Sequence, residues 1–309
     1  MKRVVVLLAV LAVAVPVVVL GVLPAVLLAA YRNPVPPPPA DLPLAEVRFE
    51  SADGVPLVAW SAEAAAPKAT VVLVHGATGT RGDEYVGFYG MMRDLLGRDY
   101  SVLALDLRNH GESGAGPRPP SFGPDEGRDV VAAVDWIKAR HPGRRVAVLG
   151  VSMGGNAAIY AAAADPRIEA LITMDTYAVA APVTARGVAA ESGLPAPVVD
   201  AVLWGARNLW GFADKAGRAI DVVAGLGARP YLIIHSLGDP IVPFADAEAL
   251  AAADPAAALW ATPAPAVHDP LIVEAGPWGA HALSYRLLRE QWVDQVTAFL
   301  DRTFKTMFG

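Results

Sequence analysis

The sequence predicts an α/β fold with a mostly parallel central sheet, helices on both faces and a small helical cap. Five strand-like runs are continuously apolar rather than alternating, which is typical of parallel strands buried on both faces. Helix-like segments lie between most of these runs, as expected for a parallel sheet. The runs are ATVVLVHG, YSVLALDL, RVAVLGVS, IEALITMD and RPYLIIHS.

The first 30 residues are predicted to form a membrane anchor. After Lys2 and Arg3, residues 4–30 run for 27 positions without a charged or hydrogen-bonding side chain. As a helix this run would be about 40 Å long, enough to cross a hydrocarbon core of about 30 Å. A cleaved signal peptide, with its usual apolar region of about 7 to 15 residues, is the alternative. The two cations favour an extracytoplasmic domain, anchored or, after cleavage, secreted.

Residues 31–43 are predicted to be a proline-rich linker. The stretch NPVPPPPADLP is typical of a polyproline II spacer, which would lift the folded domain off the membrane. The domain is expected over residues 44–309, starting with a hairpin in which EVRFES and VPLVAW flank Asp53-Gly54, a strong turn signal.

The segment after the fourth of the apolar runs is unusually long. From Thr176 to Arg229 there are 54 residues, including Trp204, Trp210 and Phe212 in a helix-compatible stretch. Insertions of this length in a sheet with short loops are typically lids. We therefore expect a small, mainly helical cap over residues 177–218.

Composition excludes several classes of function. The chain has 309 residues, 54% of them hydrophobic, and a net charge of −6. Without clustered cations it has no electrostatic footprint for nucleic acid. The absence of cysteine excludes disulfides, thiolate metal sites and a cysteine nucleophile. No zinc-type histidine spacing is present, and neither a metal nor an organic cofactor is expected.

Ser152 is the candidate nucleophile. It lies in a G-x-S-x-G motif, between the apolar run Val146 to Leu149 and the helix-like NAAIYAAAA. A sharp turn from strand to helix projects a serine hydroxyl outward only if its neighbours lack side chains that would clash. The strand-turn-helix setting is what makes this short motif informative.

Asp239 and His281 complete the candidate site. A serine hydroxyl needs a base, which a carboxylate must in turn orient, and both follow Ser152 in the chain order that this type of turn uses. Asp239 follows the run YLIIHS, at the expected carboxyl end of a parallel strand. Asp175 is a second possible acid, and His268 in PAVHDPL is the rival base.

The reaction also needs donors for a developing oxyanion. One is expected to be the backbone N–H of Met153, at the positive end of the following helix. The other is expected from the backbone of Ala77, in the loop after VVLVHG. His75 would support this loop by hydrogen bonding, and Gly76 would permit close backbone approach.

Five sequence blocks in this order resemble the motif series of the α/β-hydrolase superfamily, over about residues 45–305. The HGA and SMGG pieces are similar to its monoglyceride-lipase-like and serine esterase branch, and the N-terminal anchor resembles membrane-bound bacterial members. The resemblance implies an eight-stranded sheet whose Ser152, Asp239 and His281 carry catalysis. The blocks are VLVHGATGTRGDE, LALDLRNHGESG, GVSMGGNAA, IIHSLGDPIVP and GAHALSY.

The sequence departs from the family pattern at two places. Asn109 stands where the family often has glycine, but asparagine tolerates left-handed backbone angles. The segment between Asp239 and His281 is longer than a minimal family member needs, and LIVEAG is its last strand-like run. Because the segment is long, His268 stays a candidate for the base. Asp106, Arg108 and His110 are expected to order a loop near the site.

The predicted function is a membrane-anchored serine hydrolase that cleaves carboxylic esters, or thioesters, through an acyl-enzyme. The aromatic and small residues of the cap favour a small-molecule ester with an apolar acyl or aryl group. The same triad also serves amidases or peptidases, acyltransferases and perhydrolases, so these stay open. A non-catalytic, membrane-tethered binding module is the alternative from a different class.

Overall fold

A computed structural model of the chain describes residues 2–29 and 32–305. Its eight-stranded sheet has the order β1-β2-β4-β3-β5-β6-β7-β8. The strands β3 to β8 are parallel, and β2 pairs antiparallel with both β1 and β4. The bounds are β1 Ala45–Glu50, β2 Pro56–Ala62, β3 Ala69–Val74, β4 Tyr100–Leu105, β5 Val146–Val151, β6 Ala170–Met174, β7 Tyr231–Ser236 and β8 Ala257–Thr262.

Helices cover both faces of the sheet. The helices α4, α5 and α8 pack on one face, and α3 and α11 pack on the other. The helices are α1 Lys2–Val17, α2 Leu23–Ala29, α3 Phe88–Leu96, α4 Pro124–Arg140, α5 Met153–Ala164, α6 Ala180–Ser192, α7 Ala196–Leu209, α8 Phe244–Ala253, α9 Pro270–Ala275, α10 Ser284–Leu287 and α11 Arg289–Lys305.

The continuously apolar strands are buried on both sides, as predicted. Along β3, Val72 and Val74 face the core under α4 and α5, whereas Val71 and Leu73 face the core under α3 and α11. Because neighbouring side chains of a strand point to opposite faces, both must be apolar when helices cover both faces. The predicted fold class and the eight-stranded sheet are confirmed.

The predicted last strand is wrong. LIVEAG lies in α9, and the final strand of the described residues is β8, from Ala257 to Thr262. Pro270 starts α9 and the Asp269 side chain accepts a hydrogen bond from the Leu271 N–H, so local capping favours a helix there. Val273 is 66% exposed, so the apolar run does not enter the sheet.

The proline-rich stretch packs against the domain instead of forming a free spacer. Leu42 is buried in the core under α3 and α11. The Tyr89 hydroxyl donates to the carbonyl oxygens of Pro36 and Pro37, at 2.9 and 3.1 Å. Prolines leave their carbonyls free to accept, so this extended segment is held along the domain surface.

The long connection after β6 contains two helices, α6 and α7, followed by short 3-10 turns that reach Leu226. Val183 and Val188 of α6 and Leu203 of α7 are buried in the core under α4 and α5. A π-helical turn, Val18–Val22, joins α1 to α2, and the combined helix is long and apolar enough to cross a membrane.

Candidate active site

Ser152 lies on a strained turn between β5 and α5. Its φ is +51°, in the left-handed region that side chains rarely adopt. The turn is tight because the neighbouring chain is close: a Cβ on Gly154 would collide with the carbonyl oxygens of Val74 and His75. Glycine at this position therefore allows the strand-to-helix turn that presents the serine hydroxyl.

The structure brings the three candidate side chains together. His281 Nε2 lies 3.0 Å from Ser152 Oγ, and His281 Nδ1 lies 2.7 Å from Asp239 Oδ2. The other carboxylate oxygen of Asp239 accepts from the backbone N–H groups of Ile241 and Val242. These bonds fix the carboxylate and hold the imidazole with one nitrogen facing the serine.

The charges around His281 favour its protonated form. Burial opposes protonation of the imidazole, but the Asp239 carboxylate and the charge of Asp175 outweigh it and raise the pKa of His281 above its usual value. A base with this environment accepts a proton readily, and its positive charge is stabilised after it does so.

Asp175 holds the histidine loop rather than the imidazole itself. One of its oxygens accepts from the Ser236 N–H at 2.8 Å, and the other from the Ala282 N–H at 2.9 Å. Burial and the nearby charge of Asp239 raise its pKa to about 6. Side-chain atoms of Asp175, His235 and Asp239 that could bind a metal ion lie within 4.8 Å of one another. However, both carboxylates already accept hydrogen bonds, Asp175 from two backbone N–H groups and Asp239 from backbone N–H groups and His281.

The two expected oxyanion donors belong to the loop after β3 and to the first residue of α5. Ala77 lines the cavity above Ser152, and Met153 is the first residue of α5, so its backbone lies at the positive end of that helix. A Cβ on Gly76 would come within 3.4 Å of the Ser152 Cβ, which shows how closely the loop after β3 approaches the serine.

His75 holds the loop after β3 in place through hydrogen bonds. Its Nε2 accepts from the Leu107 N–H at 3.0 Å, and its Nδ1 lies 2.7 Å from the Gly76 carbonyl oxygen and donates to it. Burial lowers the pKa of His75 to about 4, so the ring is neutral and keeps this donor and acceptor arrangement at neutral pH. The expected supporting role of His75 agrees with these contacts.

The loop after β4 is ordered by buried ion pairs. Asn109 has a φ of +66°, the left-handed conformation expected for it. Asp106 pairs with Arg81, and Arg108 pairs with Asp129 and Asp53. None of Asp106, Arg108 and His110 lines the catalytic cavity.

The rival base lies elsewhere. His268 is exposed on the turn before α9 and is absent from the residues that line the cavity. The long segment that kept it in contention is taken up by α8, β8 and α9 before the chain returns to His281.

A cavity of about 400 Å³ opens above Ser152. Its size falls within the range of small-molecule sites. Walls come from the cap helix α6, from the loop after β3 and, unexpectedly, from the end of the N-terminal helix. Representative lining residues are Leu27, Tyr85, Phe122, Val183, Val188 and Trp278.

Two cavity residues were missed in the sequence. The Tyr85 hydroxyl donates to the His281 carbonyl oxygen at 3.0 Å, and the Trp278 ring centroid lies 5.7 Å from that of His281. Trp278 also donates from its indole to Glu191 of α6. Tyr85 lies in a segment without a recognisable motif, whereas Trp278 stands three residues before His281 and its proximity was the available signal.

Comparison with known proteins matches part of the chain to the alpha/beta hydrolase fold and to a lipase. The sequence profile of the alpha/beta hydrolase fold matches residues 69–195. The chain is 39% identical to human monoglyceride lipase over 101 residues, which are 32% of this chain and 32% of the lipase. The match thus spans about a third of the length of this curated relative.

Solved structures match over nearly the whole domain. An esterase of Pyrococcus furiosus, Pf2001, is 24% identical, with a TM-score of 0.71 over 88% of this chain and 98% of its own. The α/β hydrolase GrgF from Penicillium is 17% identical, with a TM-score of 0.67 over 85% of this chain and 100% of its own. These matches confirm the resemblance drawn from the sequence, and the chain has the α/β-hydrolase fold.

Proposed function

We propose that this protein is a membrane-anchored serine hydrolase that cleaves carboxylic esters, thioesters included, through an acyl-enzyme. The observation that carries the proposal is the position of His281, which bridges Ser152 at 3.0 Å and Asp239 at 2.7 Å beneath an apolar-walled cavity. The names of a lipase and an esterase among its relatives support ester substrates.

The proposed reaction has two halves. Ser152 Oγ attacks the ester carbonyl carbon while its proton passes to His281 Nε2, and Asp239 stabilises the resulting imidazolium. The backbone N–H groups of Ala77 and Met153 receive the oxyanion. His281 returns the proton to the departing alcohol, which leaves Ser152 acylated. Water then gives its proton to His281 and attacks the acyl carbon, so that the acid is released and Ser152 regains its proton.

The remaining parts of the proposal concern location and organisation. We assign residues 1–30 to the anchor, residues 31–43 to a linker that is partly packed on the domain through Leu42, and residues 44–309 to the hydrolase domain, with the cap over residues 177–218. The apolar helix Lys2–Leu28, with the cations Lys2 and Arg3 at its N-terminal end, supports an extracytoplasmic domain. Apolar wall residues such as Phe122 and Val188 support an apolar acyl or aryl group.

The test is hydrolysis of p-nitrophenyl butyrate by the full chain in detergent. Ser152→Ala is expected to lose about 10⁴-fold or more in kcat, whereas Ser192→Ala in the cap keeps the wild-type rate. An alkyl fluorophosphonate is expected to label wild type at Ser152, as read by peptide mass spectrometry. Unchanged hydrolysis by Ser152→Ala, or labelling at another serine, would overturn the proposal.

A second pair of variants tests the base. His281→Ala is expected to abolish turnover, and His268→Ala is expected to retain it, because only the first imidazole reaches Ser152. The opposite pattern would transfer the role to His268.

A further inference from the structure

The N-terminal helix packs closely on α7 of the cap. A Cβ on Gly205 of α7 would lie 2.6 Å from the Leu20 carbonyl oxygen and 2.9 Å from its Cα. The π-helical turn Val18–Val22 and α2 both contact α7. Because any larger residue at Gly205 would push the backbones apart, this glycine forms a close helix-to-helix joint.

Helix length sets the depth of this joint in a bilayer. The exposed helix α1 is about 24 Å long, which is short of a hydrocarbon core of about 30 Å. About 20 residues are needed, so a span that starts at Val4 ends near Leu23. Leu20, and Gly205 beside it, therefore lie about 4 to 5 Å inside the hydrocarbon edge.

The end of α7 carries the side chains suited to that depth. Trp204, Leu209 and Trp210 are 52%, 60% and 45% exposed. Tryptophan is enriched where hydrocarbon meets water, and helices lying in this interface bury an apolar face by about 5 to 10 Å. Arg207, the cation in the C-terminal half of α7, is neutralised by an ion pair with Asp214. The exposed carboxylate of α7, Asp200, lies one turn before Trp204.

The catalytic cavity lies beside the next residues of the N-terminal helix, beyond the joint with α7. Leu27 lines the cavity together with Val183 and Val188 of α6. Leu27 is four residues beyond Leu23, about 6 Å outside the hydrocarbon, within a headgroup layer about 5 to 7 Å thick. This is the layer in which the polar head of an amphiphile lies while its chain stays in the hydrocarbon.

We propose that Trp204, Leu209 and Trp210, together with residues 18–28, form a membrane-seated surface that opens the catalytic cavity to the headgroup layer. The N-terminal helix is then a wall of the substrate site as well as an anchor. The substrate class that fits is an amphiphilic ester drawn from the bilayer, with its carbonyl at the depth of Leu27. The substrate part of the inference rests on the proposed esterase function, whereas the seated surface is testable without activity.

The seated surface is tested with the full chain in phosphatidylcholine vesicles whose acyl chains are brominated at carbons 6 and 7. Bromine is expected to quench wild-type tryptophan fluorescence, and Trp204→Phe/Trp210→Phe is expected to lose most of that quenching. Trp136→Phe, on α4, is the matched control and should keep it. Equal quenching in wild type and the double variant would overturn the proposal.

The joint is tested with Gly205→Ala, since alanine favours helix more than glycine and adds only the colliding Cβ. Hydrolysis of 4-methylumbelliferyl palmitate in vesicles is expected to fall about tenfold, and that of p-nitrophenyl butyrate in water by less than about twofold. Gly225→Ala is the control, because its Cβ makes an ordinary contact with Ala163 at 3.7 Å. Equal effects of Gly205→Ala on both substrates would refute the proposal that this joint opens the cavity to substrate in the bilayer.

The two proposals fail differently. A wild-type chain that hydrolyses neither ester refutes the esterase function, and the quenching result then decides the seated surface independently. Hydrolysis of butyrate with unquenched Trp204 and Trp210 refutes the seated surface and leaves the esterase function in place.

Discussion

The proposed catalytic end of the sheet, around Ser152, and the cap are held in place by different forces. At the catalytic end, the side chains of Ser152, Asp239 and His281 are shielded from solvent and linked by directed hydrogen bonds. In the cap, α7 is held by apolar contacts such as Leu203 and exposes Trp204 on its outer side. Hydrogen bonds set the distance between two particular atoms to within a few tenths of an ångström. Apolar packing holds two surfaces together without selecting particular pairs of atoms.

This difference separates two kinds of substitution. Changes at the catalytic end should alter kcat because they displace reacting atoms. Changes in the cap should alter KM or the choice of substrate because they reshape the wall. The predictions below test this separation, beginning with the largest effect.

Asp239→Asn should lower kcat about 10³- to 10⁴-fold, because an amide cannot stabilise the imidazolium. The side chain is nearly isosteric, so the thermal unfolding midpoint should change little. Kinetics with p-nitrophenyl butyrate and a thermal melt measure both quantities. A tenfold rise in KM at unchanged kcat would contradict the assignment.

Gly154→Ala should reduce kcat about 10²-fold and destabilise the fold by about 2 to 3 kcal/mol, since its Cβ collides with backbone of the neighbouring strand end. Urea unfolding and steady-state kinetics measure the two effects. Gly143→Ala is the control, because a Cβ there meets nothing within 4 Å. Wild-type behaviour of Gly154→Ala would show that the turn is not tight.

Asp175→Asn should shift the acidic limb of kcat/KM to lower pH by about half a pH unit or more. The negative charge of Asp175 helps to raise the pKa of His281, so its removal lowers that pKa and keeps the base neutral in more acidic solution. A pH profile from 5 to 8 provides the measurement. Asp254→Asn, another buried carboxylate, should leave the limb unmoved, and an upward shift in Asp175→Asn would reverse the argument.

Trp278→Phe should raise KM by less than about threefold and leave kcat unchanged. It removes the hydrogen bond to the exposed Glu191 of α6 and shortens the ring system, while keeping an aromatic ring beside His281. Steady-state kinetics of Glu191→Gln, which keeps an acceptor, provide the reference. A large loss of kcat in Trp278→Phe would place this tryptophan with the catalytic end.

The sequence was most informative where local chemistry constrains the chain strongly. Continuous apolar runs identified β3 to β7, and glycines around Ser152 identified the turn, because few residue types satisfy those positions. Asp239 and His281 were recognised by their order along the chain. However, the distances that separate Asp239 and His281 from Ser152 depend on loops that follow different strands. No local sequence pattern sets these distances.

The failures occurred where local and distant interactions compete. LIVEAG has strand-like composition, but Asp269 and Pro270 cap a helix there and β8 already completes the edge of the sheet. The proline-rich stretch has the composition of a free spacer, yet Leu42 is buried in the domain core. Contacts of Leu27 and Gly205 with distant parts of the fold carry no signal in the neighbouring sequence.

The strap formed by residues 32–43 has a consequence for how the protein meets its substrate. Arg32 donates to the carbonyl oxygens of Gly111 and Ser113 at 3.2 and 2.9 Å, so the first residue of the strap is held on the loop after β4. With the proposed anchor in a membrane, a domain attached this closely has little freedom to sample the bulk solution. On a bilayer its rate would follow the mole fraction of substrate in the surface, and adding substrate-free lipid would slow it by dilution in two dimensions.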